Sequence, residues 1–160
     1  MVAKAYGNCP KYIDVEARID PGPFRHHTPW RVSRHLSAAD RELIGRSRTF
    51  FIGSTHPVGA DASHRGGPAG FLAVDGPVCL HFPDYTGNAM FNTLGNLVEN
   101  PAVGLLVIDP DGRPLQLTGQ AHLEFHPPQE DSPEGRTVHI TLDEVRTPLA
   151  GHDLGLGADA

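Results

Sequence analysis

Only two cysteines occur in 160 residues, Cys9 and Cys79, 70 positions apart and without a Cys-x-x-Cys pair. That excludes a disulfide framework and a zinc knuckle, and both read as reduced thiols, Cys79 in the core. Long apolar runs are missing as well. None approaches the roughly 18 residues of a membrane-spanning helix, and the opening residues, Met1 to Gly7, hold no signal-peptide core. The expectation is a cytoplasmic chain with no membrane span. Basic residues are few: 13 Lys and Arg stand against 19 Asp and Glu, for a formal charge of -6. They form no stripe, which argues against broad nucleic-acid binding and leaves any anionic ligand to a few placed groups. GxSxG, P-loop, GxGxxG and HExxH patterns are absent too, so nucleophilic hydrolysis, nucleotide hydrolysis and Rossmann dinucleotide binding lack support.

What the chain has in excess is turn formers. Glycine (18) and proline (15) make up about one residue in five, spread between apolar runs, which implies many short elements joined by tight turns rather than a helical bundle. Residues 1–35 contain Pro10, Pro21, Pro23 and Pro29 and read as an extended arm. Residues 36–147 read as the folded domain and 148–160 as a tail without a repeating apolar face. Ser37 caps an expected short helix ending near Gly45, which feeds a strand over Thr49–Gly53. Phe71–Val74 and Pro77–Phe82 flank Asp75-Gly76, a two-residue hairpin turn. Val103–Ile108 and Leu115–Leu123 flank Asp109–Arg113 as a second hairpin, and Thr137–Leu142 alternates like a half-buried strand. The expected class is all-β with short helices: five or six antiparallel strands in a small closed or nearly closed barrel.

Two segments could carry chemistry. Asp61–Pro68 reads as a loop holding Ser63, His64, Arg65, Gly66 and Gly67, a composition that suits a phosphate because glycines let amides approach while arginine pairs bidentately. It reads equally as a surface turn. The second is the start of a helix whose apolar face is Met90, Phe91, Leu94, Leu97 and Val98, capped by Thr86 or Asn88 and stopped by Pro101. Free amides there, with Asn92 and Thr93 one turn in, make a second anion site or merely a capped helix. The segments lie at opposite ends of one hairpin and could converge. Ten histidines are present, and His122 and His126 share one side of a strand, but the ligand set a structural zinc needs is missing, so no metal is expected. His26 and His27 in the arm read as solvated.

Ser63-His64-Arg65-Gly66-Gly67-Pro68, Gly70-Phe71, Pro83-Asp84-Tyr85, Gly87-Asn88, Phe91-Asn92-Thr93-Leu94-Gly95-Asn96-Leu97, Asn100-Pro101, Gly104-Leu105-Leu106 and Leu115-Gln116-Leu117-Thr118-Gly119 together resemble the pyridoxamine 5'-phosphate oxidase-related FMN-binding split-barrel family. The resemblance runs from about residue 47 to 125. It implies a six-stranded antiparallel split barrel that forms a homodimer and holds FMN between subunits. It places Ser63, His64, Arg65 and Gly66 near the FMN phosphate and ribityl chain, Asn88, Asn92 and Thr93 on the other side of the phosphate, and Gln116 at the isoalloxazine edge. Tyr6–Ile13 resembles a connector that in longer members follows a first barrel-like half, which implies either a stand-alone second half or a fragment. The chain departs from the pyridoxamine phosphate oxidases themselves, which carry Ser-Arg-Lys where Phe91-Asn92-Thr93 stands and a substrate-binding arginine and histidine near the C-terminus. The implied activity is an FMN-dependent oxidoreductase of unknown substrate. The alternatives are a flavin-holding or partner-docking domain without turnover, or haem or deazaflavin binding on the same barrel.

Overall fold

The computed structural model describes residues 29–87, 91–108, 113–130 and 132–149. In chain order the elements are β1 (Trp30–Ser33), α1 (Ala38–Arg46), β2 (Thr49–His56), β3 (Gly59–Gly66), β4 (Ala73–Val74) and β5 (Cys79–Pro83). They continue with α2 (Asn92–Glu99), β6 (Ala102–Ile108), β7 (Pro114–Phe125) and β8 (Arg136–Pro148). The strands form one sheet in the order β3-β2-β6-β7-β8-β5-β4, with β1 added on β8. Every pairing is antiparallel. Six strands carry the architecture and β1 and β4 are short additions; the sheet is split between β3 and β4 rather than closed. Among the described residues no helix is long and apolar enough to cross a membrane.

The core follows strand alternation. On β7, Leu115, Leu117 and Ala121 point inward while Gln116, Thr118 and Gln120 point out. On β8 the inward set is Val138, Ile140 and Leu142, then Val145. The skip at Asp143 matches the register shift at Thr118/Gly119, where one extra residue lets β8 bend without turning its apolar side outward. Gly119 makes the bend feasible, because a Cβ there would meet the Thr141 carbonyl oxygen at 2.2 Å.

Ser37 caps α1 as expected, in a reciprocal box with Asp40: the Asp40 amide donates to Ser37 Oγ at 3.2 Å and the Ser37 amide to Asp40 Oδ2 at 2.8 Å. Arg31 and Thr147 also donate to Asp40, so one buried carboxylate joins β1, α1 and β8. Leu43 and Ile44 then enter the core, each worth about 1.5–3 kcal/mol of burial.

Several expectations change. Trp30–Ser33, inside the expected arm, is a strand because β8 offers it a free edge; residues 1–28 of the arm, Tyr6–Ile13, Cys9, His26 and His27 included, lie outside the described residues, as does the chain beyond Leu149. Residues 61–66 are not a loop. They form the second arm of a β2–β3 hairpin turned at Pro57-Val58, and the Ser, His, Arg and Gly content conceals a strand whose stability comes from its ladder. Asp75-Gly76 opens a four-residue connection, closed by the Asp75 amide on the Cys79 carbonyl at 2.9 Å. Helix α2 begins later than expected, with Phe91 at the N-cap and no side-chain cap. Thr86 instead donates to Glu134. Cys79 is half-buried, not core, since β5 turns Leu80 and Phe82 inward.

Candidate functional site

Strand β3 presents Asp61, Ser63 and Arg65 on the side where its register partners Ser54, Ile52 and Phe50 are buried. Helix α2 covers that side. Asn96 Nδ2 donates to Ser54 Oγ at 3.1 Å and Asn100 Nδ2 to Thr55 Oγ1 at 2.8 Å, which locks α2 against β2. Its first turn therefore lands on β3: the Thr93 hydroxyl, 2% exposed, donates to Asp61 Oδ2 at 2.6 Å and shares a 2.8 Å hydrogen bond with Ser63 Oγ. The two segments converge. The N-cap residue of α2, Phe91, makes no side-chain cap hydrogen bond, and this end of the helix carries the positive end of its dipole.

Arg65 leads into a buried ionic cluster. Its Nη1 donates to Asp84 Oδ1 at 3.2 Å, and Arg136 Nε donates to Asp84 Oδ2 at 2.8 Å. Arg136 also reaches Glu134 at 3.3 Å and lies over the Phe91 ring at 5.2 Å, tying the cluster to the start of α2. Arg65 Nε is buried without a partner. A buried donor left unmade costs about 1–3 kcal/mol, so an acceptor placed at this atom would be stabilising.

No family model and no curated protein matches the chain. Solved structures do. Group A Streptococcus HupZ is similar at 8% identity and a TM-score of 0.56, over 74% of this chain and 98% of that one. A Lactobacillus delbrueckii protein provisionally designated a pyridoxamine 5'-phosphate oxidase is similar at 18% identity and a TM-score of 0.50, over 71% and 94%. The chain has the pyridoxamine 5'-phosphate oxidase-like split-barrel fold.

In this split barrel the expected site residues divide between two faces. Ser63 and Thr93 meet on the inner face, which Arg65 shares, with Asn92 opening α2. His64 points the other way, beside Phe51 with ring centroids 5.6 Å apart, and its ring bonds the Thr49 hydroxyl. Burial, and then the Arg65 charge, hold the His64 imidazole below its ordinary pKa, so it is neutral at pH 7. Gln116 is exposed in the same outer-face row, through the pairs His64–Phe51, Phe51–Leu106 and Leu106–Gln116. Gly66 ends β3 opposite Thr49, and Asn88 lies outside the described residues. The next residue, Gly67, is fixed by close approach: a Cβ would stand 2.7 Å from Phe71 Cγ and 2.8 Å from Tyr85 Cε2.

Asp61, Asp84 and Arg136 were not among the expected site residues. Asp84 lies in the Pro83-Asp84-Tyr85 motif, and Asp61 in the segment read as a loop, where alternation with Ser63 and Arg65 was the available signal. Arg136 carries no local signal, since only the β5–β8 pairing brings it to Asp84.

Proposed function

We propose that this split barrel binds FMN and serves as a flavin-dependent oxidoreductase. The observation that carries the reading is the buried, unpartnered Arg65 Nε, in a cluster tied through Asp84, Arg136 and Phe91 to the uncapped start of α2. The groups suit a phosphate: one guanidinium with a spare N–H, and the Ser63 and Thr93 hydroxyls, which would exchange hydrogen bonds they now make to each other and to Asp61, at the positive end of the α2 dipole. Ser63 and Thr93 would orient the phosphate. Asp61 opposes an anion but accepts hydrogen bonds, which suits the ribityl hydroxyls. Bound there, the flavin would supply the electron or hydride transfer.

Gln116, proposed for the isoalloxazine edge, sits on the opposite face from Arg65 and three strands away, about 14 Å across the sheet at the usual strand spacing. We therefore propose that a second copy supplies Gln116, which makes the functional unit a homodimer with FMN between subunits. FMN titration followed by flavin fluorescence tests the site, with riboflavin as the ligand lacking the phosphate. FMN binding much tighter than riboflavin supports it, and equal affinities overturn it. Light scattering should report about twice 17.2 kDa. A visible spectrum separates flavin from haem, and NADH or NADPH oxidation with added FMN separates an enzyme from a flavin holder.

A further inference from the structure

Three histidines remote in the chain fall into one row on the outer face. His139 on β8 stands directly opposite His81 on β5 and directly opposite His122 on β7. Side chains so paired share a face, with Cβ atoms about 4.5–5.5 Å apart. The His81 and His139 ring centroids are 5.7 Å apart at 36°. Two imidazoles on one tetrahedral metal, with nitrogens at about 2 Å, hold their centroids roughly 5 Å apart. A small side-chain movement spans the difference.

Each ring is also oriented by a carboxylate. Asp75 Oδ2 lies 2.7 Å from His81 Nδ1, and Glu124 Oε2 lies 2.8 Å from His139 Nε2. That leaves His81 Nε2 and His139 Nδ1 outside these pairs, the arrangement in which a carboxylate fixes the tautomer of a metal-binding histidine. As mere surface ion pairs, half-exposed contacts of this kind contribute about 0–1 kcal/mol, so stability does not explain the row. Both rings line a half-open groove of about 540 Å³, walled by Phe71, Tyr85 and His126.

We propose that His81 and His139 bind a divalent transition metal of the zinc type on the floor of this groove, with His122 turning in as third ligand. Among the described residues no three such groups already converge on one point, so the turn of His122, which is exposed, completes the set. The remaining coordination positions face the groove and would take a small ligand with an oxygen or nitrogen donor. Imidazole ligands favour zinc, copper or nickel over magnesium. This site is independent of the flavin reading.

The test is calorimetric titration of the tag-free full chain with Zn2+ and with Mg2+. One equivalent of Zn2+ and none of Mg2+ is expected. His81→Gln and His139→Gln should each abolish saturable Zn2+ binding, while Asp75→Asn and Glu124→Gln weaken it about tenfold. His56→Gln, which removes a histidine–carboxylate pair with Glu99 on another part of the sheet, should change nothing. Circular dichroism of each variant checks the fold. Visible bands of tetrahedral imidazole-bound Co2+ on the unmutated chain give a second measurement that needs no substitution. Absence of Zn2+ binding, absence of those Co2+ bands, or unchanged binding in a folded His81→Gln variant overturns the proposal.

Discussion

The Arg65–Asp84–Arg136 cluster and the His81–His139–His122 row are both polar arrays on one sheet, yet they satisfy themselves differently. Asp84 keeps 5% of its side-chain surface in contact with water and is held by two guanidiniums at 20% and 21%. Charges that far out of water must be paired, because the desolvation cost exceeds what solvent can return. His81 and Asp75 retain 35% and 47%, and His139 and Glu124 42% and 55%. Water can replace each partner, so these groups keep valence to spare. Burial thus makes the first array a structural joint with one open donor, and exposure leaves the second available for ligands.

The largest expected effect breaks the joint. Asp84→Ala removes the carboxylate that Arg65 and Arg136 share and should cost about 3–5 kcal/mol of stability, read from chemical denaturation midpoints. A loss under about 1 kcal/mol, the surface-pair range, would place the cluster in effective contact with solvent. Next comes the open donor. Arg65→Ala should weaken FMN by about 1.5–3 kcal/mol, roughly ten- to hundredfold in Kd, and barely alter riboflavin binding. Less than a twofold change in FMN affinity would remove Arg65 from the phosphate.

Smaller again is the metal-free stability effect on the exposed side, where His139→Gln should shift unfolding by under about 1 kcal/mol. A loss as large as that of Asp84→Ala would erase the contrast between the arrays. The smallest effect is a pH dependence. Because the folded His64 pKa lies below its ordinary 6.5, the unfolded chain takes up this proton first. Stability from this group is complete above about pH 6.5 and declines as pH falls from there to the folded pKa. His64→Gln should flatten that stretch of the stability–pH curve, and an identical slope in both proteins would show that His64 is not the group responsible.

Helix α1 was legible to the residue at its start, because Ser37 and Asp40 form a local box spanning three positions. The β6–β7 hairpin was legible for a similar reason, with alternating apolar residues flanking a Pro, Asp and Gly turn. Strand β3 was not. Its residues are polar or small, and its strand state comes from hydrogen bonds to β2. The start of α2 was misplaced because the periodicity of Met90 and Phe91 continues the helix face, while the helical ladder begins only at Asn92.

Local sequence therefore determined the class of the chain: many antiparallel strands and two short helices. Alternation, caps and turn residues act over fewer than about ten positions and need no knowledge of the rest of the chain. Tertiary structure alone decided which face each candidate occupies. It set Ser63 and Arg65 against His64 and Gln116, brought Asp84 to Arg136, and aligned His81, His122 and His139. Those placements depend on strand register, and register is a long-range quantity: a slip of one residue would move each of these side chains to the opposite face of the sheet.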